Sequence, residues 1–200
     1  MLVLNALFIA LTLLLGTTPI GLIPLGAINI TILHIPVIAG TLFLGLKSGL
    51  LLGFIFGLCS VFSVYGLTLT PPSGLAAALN AENALYCLLM CIIPRLLVPV
   101  FTYLSNKLLL KLDVEEHLSL GFASFIGSVT NTVFYLGLMI AFYELANLDV
   151  AALMEKLGIK SFWGIMSIIA SGAGGLEALA AFLLVPPIIA ALWNTKKSLQ

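Results

Sequence analysis

The chain has 200 residues, 62% of them apolar and only 8% charged, with eight basic and eight acidic side chains and a mean hydropathy of +1.23. A soluble domain is about a quarter charged and has no interior large enough to hide this much apolar surface, so lipid is the solvent for most of the chain. A formal net charge of zero, with no basic run beyond Lys196-Lys197 and no basic–aromatic interleaving, sets nucleic-acid binding aside.

A membrane-spanning helix needs about 20 predominantly apolar residues, because lipid offers no partner for a free backbone N–H or C=O. By that measure the sequence predicts an all-α membrane protein: one integral domain of six transmembrane helices, roughly 2–18, 31–46, 48–66, 84–106, 118–143 and 161–193. The opening "MLVLNALFIALTLLLG" lacks the positive n-region of a signal peptide and stays apolar past any cleavage point, so it reads as the first helix of the mature protein. Its Ala6 and Ala10 form a small-xxx-small face with no charge nearby, suited to docking a second protein. Prolines and glycines in "TTPIGLIPLGAINIT" forbid one long helix through the second segment, which carries His34 near its start. Gly49, Gly53 and Gly57 ridge the third segment and predict close helix packing inside the bundle.

Connections after segments one, three and five are long (19–30, 67–83 and 144–160), whereas those after segments two and four are short or charged. Lys47, Lys107, Lys111, Lys196 and Lys197 fall on one side, and Lys156 and Lys160 on the other. The positive-inside rule then puts both termini in the cytoplasm and the long loops outside. Cys59, Cys87 and Cys91 all lie in apolar stretches without a histidine or further thiol at metal-site spacing, and read as buried thiols with no metal.

Three polar residues stand inside these helices: Arg95, Glu177 and Asn131, the last flanked by Thr130 and Thr132. A charge at mid-bilayer costs about 2.5–3.5 kcal/mol, so such residues are rare and usually functional. Arg95 precedes Lys107 by 12 positions and Asn131 follows Ser119 by 12, which is ~18 Å of helix from the cytoplasmic end. Glu177 precedes Trp193 by 16, or ~24 Å. All three reach the outer half of the membrane at similar depth, the layout of a pocket opening outward. The alternative is an Arg95–Glu177 ion pair that only locks two helices, but a guanidinium has more donors than one glutamate can occupy. Pro94 and Pro99 each remove a backbone donor and free the carbonyls of residues 90 and 95 toward a cavity. His34 either lines the same pocket or is satisfied by a backbone group, and Tyr65, Tyr86 and Phe134 are available as aromatic walls.

Catalytic residues are not expected. "GAGG" at 172–175 lacks the Gly-Lys-Ser/Thr of a phosphate loop, so ATP hydrolysis falls to other subunits, and no Gly-x-Ser-x-Gly turn, metal cluster or cofactor motif is present. An ion-coupled carrier working alone would carry several intramembrane acids, and this chain has Glu177. A purely structural membrane subunit explains the alanine face but not the polar layer.

Taken in order, Ala6-xxx-Ala10, "IPLGAINITILHIPVIAGTLFLGLKSG", "PR" at 94–95, "GSVTNT" at 127–132 and "LEALAAFLLVPPI" at 176–188 resemble the substrate-binding S components of energy-coupling factor (ECF) transporters, which take up vitamins in bacteria. The likeness is greatest to the pantothenate-type S components, with hydroxymethylpyrimidine or another vitamin precursor as the alternative ligand. It departs at "SGAGGLEA", where the family resemblance leads one to expect an Asn-Gly-Ile-Pro-Glu-like run. The resemblance implies a multi-pass protein of the bacterial cell membrane that captures its vitamin outside and topples to release it inside. It also implies docking through the alanine face onto a transmembrane coupling protein driven by two ATPase subunits. On this reading Arg95 takes the vitamin's carboxylate, and Asn131, Thr130 and Glu177 take hydroxyl or amide groups, with His34 beside them. If Glu177 neutralises Arg95 instead, the pocket suits an uncharged vitamin.

Overall fold

The computed structural model of the chain describes residues 2–24, 29–148 and 174–198. In chain order they form α1 (Leu2–Thr17), β1 (Leu22–Pro24), β2 (Asn29–Thr31), α2 (His34–Leu44), α3 (Leu46–Val64), α4 (Gly74–Glu82), α5 (Ala84–Lys111), α6 (Glu116–Leu145) and α7 (Gly174–Ser198). Helices α3, α5, α6 and α7 are long and apolar enough to cross a membrane, while α1 and α2, of 16 and 11 residues, are shorter apolar helices. The start of the expected sixth segment, 161–173, lies outside the described residues. Two elements were not expected: the antiparallel β1–β2 hairpin within the first long connection, and α4 within the second.

Local chemistry explains the boundaries. Ser73 caps α4 by accepting the Ala76 N–H, and Asn83 caps α5 by accepting the N–H groups of Leu85 and Tyr86. Between α2 and α3 a single residue, Gly45 at φ 93°, reverses the chain in a conformation that side chains resist. Several hydroxyls inside the helices bond back to the carbonyl one turn earlier, as Thr12 does to Phe8 and Ser124 to Leu120, which satisfies those groups within lipid-embedded segments.

Packing runs antiparallel along α3 and α5. Gly49 faces Pro99, Gly53 faces the Arg95 carbonyl and Gly57 faces Cys91 and Ile92, so the expected glycine ridge is the contact that brings these two backbones together. Antiparallel α5 and α6 meet at Tyr86 on Phe142 near one end and at Asn106 with Ser119 near the other. One buried apolar cluster, including Leu33, Val37, Leu52, Phe56, Val98 and Val185, joins α2, α3, α5 and α7. A second joins Leu75 and Leu79 of α4 to Met90, Cys91, Met139 and Tyr143 beneath it. The Tyr143 hydroxyl donates to the Leu75 carbonyl at 2.5 Å, which pins α4 across the end of α5 and α6. The outward faces are apolar too: Leu2, Leu7, Leu11 and Leu14 of α1 are exposed, as lipid-facing residues are, and Ala6 and Ala10 share that exposure.

Candidate ligand-binding site

A polar cavity lies at the end of the bundle where the hairpin and α4 sit. Six parts of the fold line it: Asn29 and Thr31 of β2, Ser60 and Ser63 of α3, Ser73 ahead of α4, Arg95 of α5, Asn131, Thr132 and Tyr135 of α6, and Gly174 and Glu177 of α7. Leu22, Val64, Ala76 and Leu136 give it apolar patches. The enclosed volume is about 70 Å³, which is room for the polar end of a ligand rather than for a whole drug-sized one.

Arg95 is 6% exposed. Pro94 supplies no N–H, so the Met90 carbonyl loses its helical donor, and Arg95 Nη1 fills that vacancy with a bond of 3.2 Å. Two rings lie against the guanidinium, with its Cζ 4.4 Å from the Tyr135 ring centre and 5.1 Å from that of Phe56. Such contacts contribute about 2 kcal/mol when desolvated, and here they stabilise a buried cation. Among the described residues Arg95 forms no ion pair. Glu177, on the same cavity, uses its Oε1 to accept the Thr31 backbone N–H at 2.8 Å, tying the start of α7 to β2. The expected alternative of a direct Arg95–Glu177 lock is therefore not the arrangement found.

Among the described residues, four atoms in this wall are buried without a hydrogen-bond partner: Arg95 Nε, Asn131 Oδ1, Asn29 Oδ1 and Ser63 Oγ. Each orphan of this kind costs about 1–3 kcal/mol. One donor, two acceptors and a hydroxyl, all shut off from water in this arrangement, would find partners in a ligand with an acceptor end and several donors. Among the described residues, no group of three or more His, Cys, Asp or Glu side chains is placed to hold a metal ion.

Of the residues singled out in the sequence, Arg95, Asn131 and Glu177 come together here, and two do not. Thr130 points away: its hydroxyl bonds to the Ile126 carbonyl at 2.7 Å, and its side chain lines an apolar groove with Phe101, Phe134 and Val133. Asn131, Thr132, Tyr135 and Leu136 share the cavity face at i, i+1, i+4 and i+5, and Thr130, turned 100° the other way from Asn131, falls outside it. His34 is fully buried at the junction of α2 and α6, its Nε2 3.2 Å from Ser128 Oγ, and is absent from the cavity wall. Nor do the three aromatics named above build it. Tyr65 is exposed, Tyr86 stacks on Phe142 and Phe134 borders the apolar groove, whereas Tyr135 forms the wall. Asn29, Ser63 and Ser73 were also missed. Ser60 and Ser63, three apart on one face of an apolar helix, carried a readable signal; Asn29 did not, since only strand pairing and its bond to the Pro71 carbonyl at 3.2 Å bring it in.

The family described as "ECF transporter, substrate-specific component" matches residues 1–189. The chain belongs to that family. It is thus the substrate-binding subunit of a transporter, a multi-pass membrane protein whose apolar outer faces meet lipid. Over 118 residues this S component is 33% identical to the pantothenic acid transporter PanT of Lactococcus lactis subsp. cremoris (strain MG1363), a match covering 56% of this chain and 57% of that protein. The chain spans, in that match, little more than half the length of its curated relative.

Proposed function

We propose that this S component captures a vitamin, pantothenate by preference, at the outer side of the bacterial cell membrane and hands it inward with an ATP-driven energizing module. The observation that carries the ligand class is Arg95: a buried guanidinium that forms no ion pair among the described residues, with an orphan Nε, on a cavity that also presents hydroxyls, amides, one carboxylate and apolar patches. Pantothenate offers a carboxylate for that group, with two hydroxyls and an amide N–H for Asn131, Asn29 and Glu177. The name of the relative from Lactococcus lactis points the same way. The lysine distribution supports six spans with both termini cytoplasmic and the cavity facing out. Exposed Ala6 and Ala10, one turn apart, suit close docking of α1 on a transmembrane coupling subunit that works with two ATPases.

Glu177 on the same cavity favours a second reading, a neutral precursor such as hydroxymethylpyrimidine. Calorimetry of the purified protein separates the two. Tight one-to-one binding of pantothenate, weakened at least about a hundredfold by Arg95→Ala, is expected, since removing one side of a buried charged contact costs about 2–5 kcal/mol. Equal affinity of the variant and the parent protein overturns the role of Arg95, and tight binding of the pyrimidine in place of pantothenate establishes the second reading.

A further inference from the structure

An arginine side chain has four soft torsions, and a binding arginine works only if its planar fork is aimed. The hydrogen bond from Nη1 to the Met90 carbonyl fixes one corner of the Arg95 fork and leaves the plane free to swing about it. The remaining constraint comes from outside α5. Phe56 belongs to α3 and Tyr135 to α6, the two helices most closely packed on α5, and both rings stand within stacking reach of the guanidinium carbon at 5.1 and 4.4 Å. Rotation of the fork out of its plane loses both contacts at once. Phe56 is fully buried and cannot yield.

We infer that Phe56 and Tyr135 are positioning residues, which hold the Arg95 guanidinium so that its Nε–Nη2 edge meets a planar carboxylate in plane, and that this orientation is what makes the site select an acid over the matching alcohol or amide. The covalent geometry of the group decides the edge. Nη1 lies on the Cδ side and is spent on Met90, whereas Nε–H and Nη2 point together the other way, and Nε is the atom left without a partner. Two parallel N–H groups at that spacing match the two oxygens of a carboxylate. A hydroxyl offers one oxygen and no charge. The inference rests on the pantothenate reading for its ligand, but not for the state of the arginine itself.

Arg95 is the only arginine in the chain, so its Nε–Hε group gives a single signal in a nitrogen-15 spectrum and needs no assignment. In the parent protein without ligand that signal is expected to be as rigid as the backbone; an Nε–Hε that moves freely overturns the inference with no variant made. Phe56→Leu and Tyr135→Leu are each expected to mobilise it and to weaken pantothenate binding about tenfold, or 1.4 kcal/mol, because the ligand must then order a freed side chain. Phe56→Leu, whose side chain is not part of the cavity wall, should leave the affinity for panthenol, the primary alcohol in place of the acid, within about twofold, because that ligand does not use the charged edge. Tyr135→Phe keeps the ring and should restore parent behaviour in both measurements. Equal losses for acid and alcohol would reduce the two rings to general packing and overturn the proposal. If the parent protein ignores pantothenate while the Nε–Hε signal behaves as expected, the vitamin assignment fails and the positioning role stands.

Discussion

Pro94 and Pro99 open the same gap in α5, five residues apart, and the two sides of the helix treat it differently. Each proline strips a carbonyl of its helical donor, that of Met90 in the first case and that of Arg95 in the second. On the cavity side, the Met90 carbonyl takes Arg95 Nη1 and thereby helps to aim a binding group. On the α3 side, the Arg95 carbonyl looks onto Gly53, where the lack of a side chain lets the two backbones touch. A freed carbonyl in a lipid-embedded helix is thus raw material whose use depends on the neighbour: a long polar side chain over a cavity turns it into part of a site, and a glycine turns it into a packing contact.

The packing side is where substitution should cost most. A Cβ at position 53 would run into the Arg95 carbonyl, which is backbone and cannot move without displacing α5 and the arginine with it. Gly53→Ala is therefore expected to destabilise the protein by about 3 kcal/mol, at the upper end of overpacking costs, and to weaken ligand binding as well. At Gly57 the nearest obstacle is the Cδ1 tip of Ile92, 2.8 Å away, which can turn aside. Gly57→Ala should cost no more than about 1 kcal/mol. Thermal unfolding of both variants in the same detergent measures the difference; equal losses would mean that the freed carbonyl has no special part in the α3–α5 contact.

A smaller effect is expected when the prolines themselves are replaced, and it tests the comparison directly. Pro94→Ala restores an N–H that competes for the Met90 carbonyl, so Arg95 loses its fixed corner. Affinity for pantothenate should fall by about threefold to tenfold, while stability rises toward that of a regular helix, since an interior proline costs up to about 3 kcal/mol. Pro99→Ala restores a donor on the other side and should leave affinity unchanged. Calorimetry on the pair reads this out, and a larger loss of affinity from Pro99→Ala would invert the two roles.

How much of this was legible depends on what kind of signal each residue gave. Arg95, Asn131 and Glu177 were readable because a polar group in an apolar helix carries an insertion cost that packing alone does not explain. The glycines of α3 were readable as a close-packing face, but not their partner, since nothing local says that Gly53 meets a proline-freed carbonyl. Hydropathy located the long helices and passed over α4 and the hairpin, which are too short and too polar in their surroundings to register, although "PPSG" marks where α4 begins with Ser73 as its cap. His34 could be read either as lining the pocket or as satisfied by a neighbour, and its contact with Ser128, 94 residues away, is one that local sequence does not show. Asn29 was invisible for the opposite reason, an ordinary loop asparagine whose place in the wall is made by tertiary contact.

The least costly change bears on the finest distinction, between neighbours on α6. Thr130 bonds to the carbonyl of its own helix at Ile126 and faces the apolar groove beside Phe101 and Phe134, so Thr130→Val removes a hydroxyl that touches no ligand. Its expected effect on affinity is within about twofold, and on stability about 1 kcal/mol at most, the net worth of one intrahelical hydrogen bond. Thr132→Val removes a hydroxyl from the cavity wall, and with it about 1 kcal/mol of the hydrogen bonding available to the ligand, or a fivefold loss. Calorimetry resolves a fivefold change from a twofold one. The reverse order of effects would require α6 to present the Thr130 face to the ligand, a rotation that would also withdraw Tyr135 from Arg95, so the two threonines report on the orientation of the whole helix.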